Sequence, residues 1–226
     1  MNTDVIIHPK LHHYGLTTAN LDAMVDWYRK VLGMTVNHRS AVPPVVQARA
    51  PFSAMAFVSN DEANHRIVFF EVPGIVPDPD RRRHARLQHI AFECDTLDDL
   101  LGTYVRLKGL SILPTWAADH GLAIAFYFQD PDENMVELNV NMYGSEWTAT
   151  EHIKSSAPGM VPVDPDMMLA ARKAGASAWD LHQRALAGEF ASADRNSAGD
   201  RRLDLRAVVH NERPIHHDRL ANCGAR

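Results

Sequence analysis

The sequence LHHYGLTTANLD at residues 11–22 returns as LQHIAFECDTLD at residues 87–98. The opening leucine, one histidine and the closing Leu-Asp pair match without a gap, so that His13 and His89 are 76 positions apart. Two copies are too few, and the period is too long, for a solenoid. We therefore interpret the repeat as a duplicated module whose halves pack about a pseudo-twofold axis, and not as a chance likeness between two amphipathic segments.

Each copy changes from the period of a strand to the period of a helix. Alternating residues predict strands at 5–18 and 89–95, and apolar residues at helical spacing then predict helices at 21–32 and 97–108. Further strands are predicted at 34–38, 53–59 and 66–72 in the first copy and at 110–116, 123–129 and 135–141 in the second. The predicted fold class is therefore α+β, with two βαβββ modules in tandem.

The ends of the two helices carry matching signals. Asn20 and Thr96 are suitable N-caps, because their side-chain oxygens can accept from an unpaired N–H of the first turn. Gly33 and Gly109 are predicted to end the helices in the left-handed conformation. The same signals in both copies support the duplication.

The modules are predicted to form one domain at residues 1–144. They occupy about 10–75 and 86–144, and the Pro- and Arg-rich segment 73–86 is typical of a linker. Residues 145–226 are predicted to be a C-terminal extension with short helices and a poorly ordered tail.

Strand alternation separates histidines that face a core from those that do not. Successive residues of a strand face opposite sides, so Ile90 and Phe92 share the apolar face, whereas His89 and Glu93 share the other. The 76-residue offset places His13 on the same kind of surface as His89. By the same parity, the residue before His13 is expected to face the opposite way.

The last hairpin supplies a carboxylate. The turn at 130–134 is rich in turn formers, and Asn134 tolerates a positive φ. If the turn is centred on Asp132, Tyr127 lies directly opposite Glu137, with Cβ atoms roughly 5 Å apart.

Two histidines at equivalent positions and one acid form a candidate metal site. A lone His or Glu on a strand is more often a surface residue or a satisfied core residue, but here the symmetry of the repeat selects both histidines. His13, His89 and Glu137 together make a 2-His-1-carboxylate set, which leaves coordination positions open for a substrate.

Composition excludes several classes of function. The net charge is -5 with both signs interspersed, which argues against nucleic-acid binding. We find neither a signal peptide nor a membrane-spanning stretch and expect a cytoplasmic protein. Cys94 and Cys223 lie in no CxxC pattern, which argues against a disulfide framework or a thiolate zinc site.

Residues 10–144 resemble the vicinal oxygen chelate superfamily. The resemblance rests on the His-bearing first strands at 11–14 and 87–90 and on the closing Asp-Pro-x-x-Asn-x-x-Glu segment at 130–137. It implies that the paired modules form an open-barrel metal cleft. The superfamily includes glyoxalase I, fosfomycin resistance proteins, methylmalonyl-CoA epimerase and extradiol ring-cleaving dioxygenases.

Among these branches the chain looks most similar to the small single-domain extradiol dioxygenases. They place a Tyr ten residues before the ligand Glu, as Tyr127 is placed before Glu137. Their two further active-site histidines are matched by His65, at the start of the fourth strand, and by His120. The spacing from His120 to Tyr127 is shorter than the family pattern.

The resemblance implies a ring-cleaving reaction on a metal. Fe(II), or alternatively Mn(II) or another divalent ion, would be held by the three ligands and would bind a small aromatic diol and O2. His120 and His65 are the candidates for removing a diol proton, and Tyr127 for holding a diol oxygen, although Tyr127 could equally be half of an aromatic hairpin pair. A homodimer or higher homo-oligomer is also expected.

Two alternatives remain open from the sequence. A glyoxalase I-like isomerase would use Glu71 as a fourth ligand, unless Glu71 is only a surface acid at a strand end. A non-catalytic ligand-binding protein of the bleomycin resistance type would need no metal.

The extension has weaker signals than the modules. Helices are predicted at 164–173 and 177–187. Their apolar residues suited to docking on the domain are Leu181, Leu186 and Phe190. Three tail histidines resemble a metal tract but suit a solvated tail better, namely His210, His216 and His217.

Overall fold

Nine strands and six α-helices follow one another in a computed structural model that describes residues 8–47, 49–155 and 159–191. The first module contains β1 (Tyr14–Thr18), α1 (Leu21–Leu32), β2 (Thr35–Ala41), α2 (Pro44–Gln47), β3 (Ala54–Ser59) and β4 (Ile67–Glu71). The second contains β5 (Ile90–Glu93), α3 (Leu97–Gly109), β6 (Trp116–Asp119), β7 (Ala123–Gln129) and β8 (Met135–Asn141). The extension contains α4 (Glu146–Ser155), β9 (Val161–Pro162), α5 (Pro165–Lys173) and α6 (Ala178–Leu186). A 3₁₀ turn at Arg81–Arg83 lies in the linker.

The two sheets repeat one topology. The strand order is β1-β4-β3-β2 in the first sheet and β5-β8-β7-β6-β9 in the second. In each, the first strand is an edge strand that pairs in parallel with the last strand of its module, and the other pairs are antiparallel. The predicted α+β fold with two βαβββ modules is thus confirmed.

The helix ends are partly as predicted. Asn20 accepts from the Ala23 N–H, Thr96 forms a capping box, and Gly33 is left-handed with φ 66°. The prediction for Gly109 was wrong, since it is the last helical residue and the left-handed residue is Ser111, with φ 60°.

The predicted strand at 110–116 was also wrong. The N–H groups of Ser111 and Ile112 donate to Lys108 and Leu107 carbonyls, so this segment completes the end of α3. Because those donors are used by the helix end, β6 begins only at Trp116. Similarly, no strand precedes Tyr14 within residues 8–13, and residues 1–7 of the predicted first strand lie outside the described residues.

The hairpin register that places the predicted acid is confirmed. Strands β7 and β8 have the predicted bounds, and Tyr127 pairs with Glu137. The positive φ falls at Glu133, at 62°, and not at Asn134. Asp130 fixes the turn, because one of its carboxylate oxygens accepts from the Asn134 N–H at 2.8 Å and also from the Asp132 N–H.

A buried hydrogen bond joins the two modules. Tyr28 of α1 is buried at 0% exposure and donates to Asp130 Oδ2, at 3.1 Å, in the hairpin turn of the second module. Arg106 of α3 donates to the Lys30 carbonyl at the end of α1. These contacts hold the helix of one module against the hairpin and helix of the other.

The extension packs on the second sheet. Leu181 and Phe190 are buried, as predicted for docking residues, and Leu186 is half-buried. Neither α4 nor β9 was predicted. The sequence of α4 lacks a clear apolar stripe, and only Ala149 of this helix is buried. The division at residue 144 stays a prediction, and the tail histidines lie outside the described residues. No helix in the described part of the chain is long and apolar enough to span a bilayer.

Candidate active site

The edge strand of the second module brings together an imidazole and a carboxylate. His89 directly precedes β5, which runs beside β8, where Glu137 lies. His89 Nε2 is 3.0 Å from Glu137 Oε2, and Glu137 is only 7% exposed. Two ligands about 2.1 Å from one ion and at right angles to each other are also about 3.0 Å apart. The pair therefore fits two adjacent positions of a divalent metal.

Each member of this pair shifts the pKa of the other. Hydrogen bonding to Glu137 is the main cause that raises the pKa of His89. Burial acts to raise the pKa of Glu137, but hydrogen bonds from His89, Asn139 and Tyr127 outweigh it and lower that pKa. Asn139 Nδ2 donates to Glu137 Oε1 at 3.0 Å. These contacts favour the ionised form of Glu137, which is the form that could bind a metal cation.

A second polar pair lies beside the first. His120 Nε2 is 2.8 Å from the Tyr127 hydroxyl, and Tyr127 also hydrogen-bonds to Glu137. Trp116 stacks on Tyr127 with ring centroids 4.8 Å apart. The four side chains thus form one chain of contacts, from His89 through Glu137 and Tyr127 to His120.

The protonation of the second pair follows from burial. Burial is the main cause that lowers the pKa of His120, and burial with the charge of Glu137 raises the pKa of Tyr127. At neutral pH, His120 is therefore uncharged and can accept a proton, whereas Tyr127 keeps its proton.

The other two predicted histidines lie together on the first module. The rings of His13 and His65 have centroids 4.2 Å apart, and His12 Nδ1 is 2.8 Å from His13 Nδ1. The ligand atoms of these three residues all lie within 4.8 Å of one another. Among the described residues this is the one group of three or more His, Cys, Asp or Glu side chains gathered so closely. The three predicted metal ligands, His13, His89 and Glu137, do not form such a group among the described residues.

The presence of His12 in this cluster differs from the parity expectation. Alternation holds only inside a strand, and β1 does not begin until Tyr14, so neighbouring residues 12 and 13 are free to turn the same way. The Arg66 guanidinium donates to the His12 carbonyl at 3.1 Å and fixes this stretch of backbone. Sequence parity could not show this contact.

Glu71, the fourth ligand in the isomerase alternative, is hydrogen-bonded at the start of α1. Glu71 Oε1 accepts from the Leu21 N–H at 3.3 Å, at the start of α1, and Oε2 accepts from the Ser53 hydroxyl at 3.1 Å. A carboxylate at a helix N-terminus is stabilised by the unpaired N–H groups there. Glu71 thus caps a helix.

Sequence reasoning missed a buried pair behind His120. His182 of α6 and Asp119 of β6 are both 0% exposed, and His182 Nδ1 is 2.7 Å from Asp119 Oδ2. The available signal was a histidine between Leu181 and Ala185 on the apolar face of a helix.

Comparisons with known proteins show the family of this chain. Residues 10–138 match the family described as the Glyoxalase/Bleomycin resistance protein/Dioxygenase superfamily. Biphenyl-2,3-diol 1,2-dioxygenase 3 of Rhodococcus globerulus is 31% identical over 185 residues, which is 80% of this chain and 91% of that protein. Biphenyl-2,3-diol 1,2-dioxygenase 2 of the same organism is 32% identical over 171 residues, which is 74% and 83%.

A solved structure supports the fold. The glyoxylase/bleomycin resistance protein/dioxygenase domain from Frankia sp. EAN1pec superposes with a TM-score of 0.51 at 20% identity. The match covers 66% of this chain and 99% of that one. At this identity the likeness shows a shared fold alone.

Proposed function

Since this chain belongs to the glyoxalase/bleomycin resistance protein/dioxygenase superfamily, we propose that it is an extradiol dioxygenase acting on a catechol-type aromatic diol. The reaction would insert both atoms of O2 and open the aromatic ring. The observation that carries the proposal is the contact between the exposed imidazole of His89 and the buried carboxylate of Glu137, bordered by His120 and Tyr127. The names of the two Rhodococcus relatives add support.

We assign the metal to His13, His89 and Glu137. The 3.0 Å separation of the donor atoms of His89 and Glu137 fits adjacent ligands, and His13 precedes β1 as His89 precedes β5. Fe(II) is our first choice and Mn(II) the alternative. When bound, such an ion would favour the ionised diol and bring the diol and O2 together.

The protein side chains then divide the remaining work. His120, uncharged because burial lowers its pKa, accepts a proton from the diol at Nε2. Tyr127, which stays protonated, donates a hydrogen bond that orients a diol oxygen. The indole of Trp116, stacked on Tyr127, holds that phenol in place. His65 stays a candidate for a second proton acceptor, because burial also lowers its pKa.

The alternatives receive less support from the geometry. The Glu71 carboxylate is occupied at the start of α1, so an isomerase with four protein ligands would have to break two hydrogen bonds to recruit it. A metal-free binding protein receives less support, because the His89 and Glu137 donor atoms have the separation of adjacent metal ligands.

An oxygen-electrode experiment tests the proposal. The purified full-length protein is loaded anaerobically with one equivalent of Fe(II) and mixed with monocyclic and bicyclic catechols while oxygen uptake and yellow product are followed. We expect equimolar uptake of oxygen and diol. The matched controls are Mn(II)-loaded protein and Glu137→Gln, which keeps the side-chain shape and removes its charge. Metal-loaded protein that consumes no oxygen with any catechol would contradict the proposal.

A further inference from the structure

A buried imidazole–carboxylate pair lies directly behind the turn that carries His120. His182 and Asp119 have no exposed side-chain surface, and the atoms His182 Nδ1 and Asp119 Oδ2 are 2.7 Å apart. An ionised carboxylate can only accept hydrogen bonds, so the imidazole is the donor. Because a buried carboxylate is costly unless it is paired, Asp119 depends on the imidazole that the extension brings to it.

The Asp119 carboxylate also binds the backbone on the far side of His120. Asp119 Oδ1 accepts from the Gly121 N–H at 2.8 Å, so one carboxylate links α6 to the residue after His120. The His120 N–H donates to the Ala123 carbonyl at 2.9 Å, and the His120 carbonyl accepts from the Gly159 N–H at 3.1 Å. Gly121 has φ +86°, a conformation that L side chains rarely adopt. The turn is thus held at every polar backbone atom of His120.

Within the described part of the chain, the His182 ring has one hydrogen-bond partner, Asp119. Its other ring nitrogen, Nε2, is buried and has no hydrogen-bond partner among the described residues. Its ring packs against Trp179, with centroids 5.1 Å apart, and faces Tyr143 edge-on at 6.0 Å. Aromatic packing therefore fixes the ring, and the Nδ1 hydrogen bond transmits its position to Asp119.

We propose that His182 is a positioning residue for His120. Through Asp119, it holds the turn that aims the His120 imidazole at the Tyr127 hydroxyl, 2.8 Å away. A displacement of about 1 Å at a catalytic group can lower the rate by roughly 100-fold. The expected effect on turnover rests on the proposed function. The structural coupling between His182 and His120 does not.

Two amide substitutions separate positioning from packing. In His182→Asn the amide nitrogen is bonded to Cγ, as Nδ1 is in histidine, so the donor to Asp119 is kept. In His182→Gln the amide nitrogen is one bond further out and the donor is displaced. We expect His182→Gln to lower kcat at least tenfold with KM within twofold of wild type, and His182→Asn to restore most of kcat. If His182→Gln does not fold, Asp119→Asn, which weakens acceptance at the same contact, takes its place.

A control on the same helix accounts for loss of stability. Leu181→Ala removes a fully buried side chain next to His182 without touching the pair. It should lower Tm as the His182 variants do, yet leave kcat per metal-loaded molecule at the wild-type value. Equal losses of kcat in Leu181→Ala and His182→Gln would show a merely structural role and overturn the proposal.

A readout without turnover keeps the inference separate from the proposed function. In full-length metal-free protein with ¹⁵N-labelled histidine, the His120 ring signals are assigned from the spectrum of His120→Gln. We expect His182→Gln to shift or broaden those signals, and Leu181→Ala to leave them in place. Unchanged His120 signals in His182→Gln overturn the inference. If no catechol is turned over but the His120 signals respond, the proposed function fails and the coupling stands.

Discussion

The two modules share a backbone but differ at the positions that make a site. In the second module Ala91 pairs with Glu137 across the parallel strands. Its counterpart in the first module, Gly15, which lies 76 positions earlier, pairs with Val68. The antiparallel partner of Glu137 is Tyr127.

The same neighbour in the first module is apolar. The antiparallel partner of Val68 is Phe57, which stacks on His65 with centroids 4.5 Å apart. The first module therefore has valine and phenylalanine where the second has the acid and the phenol. The duplication supplies a histidine before the first strand of each module, and at these paired strand positions the second module has the carboxylate.

The sharpest way to break this comparison is to give the second module the residue of the first. Glu137→Val should abolish stable metal binding and turnover. Loss of an outer partner of a metal ligand already costs about 10- to 100-fold in affinity, so loss of the ligand itself should cost at least about 100-fold. Bound metal is measured after gel filtration, with Val68→Ala as the control. A full equivalent of metal retained by Glu137→Val would show that the acid is not a ligand.

The phenol is the next difference to remove. Tyr127→Phe makes the hairpin match Phe57 while keeping the ring that stacks on Trp116. A hydrogen bond to a charged group contributes about 1.5–3 kcal/mol, so we expect kcat to fall about 10- to 100-fold. Metal content should equal that of the wild type, which separates orientation from metal binding. A kcat equal to wild type would reduce Tyr127 to a packing residue.

The pH profile distinguishes the histidines of the two modules. Burial lowers the pKa of His120, so its uncharged form persists below the ordinary histidine value of about 6.5, and kcat/KM should fall only below that pH. The ionisable groups that act on His120 are Glu137, Asp119 and His89, besides the neighbouring Tyr127.

Two variants assign the acid limb. His120→Gln should remove it together with most of the activity, because no proton acceptor remains on that side. His65→Gln should leave the limb in place, since its imidazole belongs to the cluster on the first module. An acid limb that survives in His120→Gln and disappears in His65→Gln would reverse the two assignments.

Local sequence patterns predict more of the fold than of the candidate site. Period and capping gave the bounds of α1, β7 and β8 and the register that sets Tyr127 opposite Glu137, because those features depend on neighbours in sequence. The Asp119–His182 pair joins residues 63 positions apart, and nothing in either local pattern specifies such a contact. The predicted strand at 110–116 failed because the end of the preceding helix uses the backbone donors that a strand would need.

The smallest expected effect is on the free energy of unfolding, at the strand position where the first module has Gly15 and the second has Ala91. A Cβ at Gly15 would lie 3.3 Å from Phe70 Cε2 and 3.4 Å from Val68 Cγ1. The Phe70 ring is half-buried and can shift by a few tenths of an ångström. Gly→Ala at an accommodating site stabilises by about 0.4–1 kcal/mol, so Gly15→Ala should gain less than about 0.5 kcal/mol.

The helical Gly102 offers the matched control for that substitution. A Cβ there meets nothing within 4 Å, so Gly102→Ala should gain about 0.5–1 kcal/mol in the free energy of unfolding. Urea unfolding of both variants compares them directly. If Gly15→Ala instead loses more than about 1 kcal/mol, then Phe70 is held rigidly and the first module is too tightly packed at β1 to accept the alanine of the second. In that case glycine at 15 is a packing requirement, and the modules differ there for structural and not for catalytic reasons.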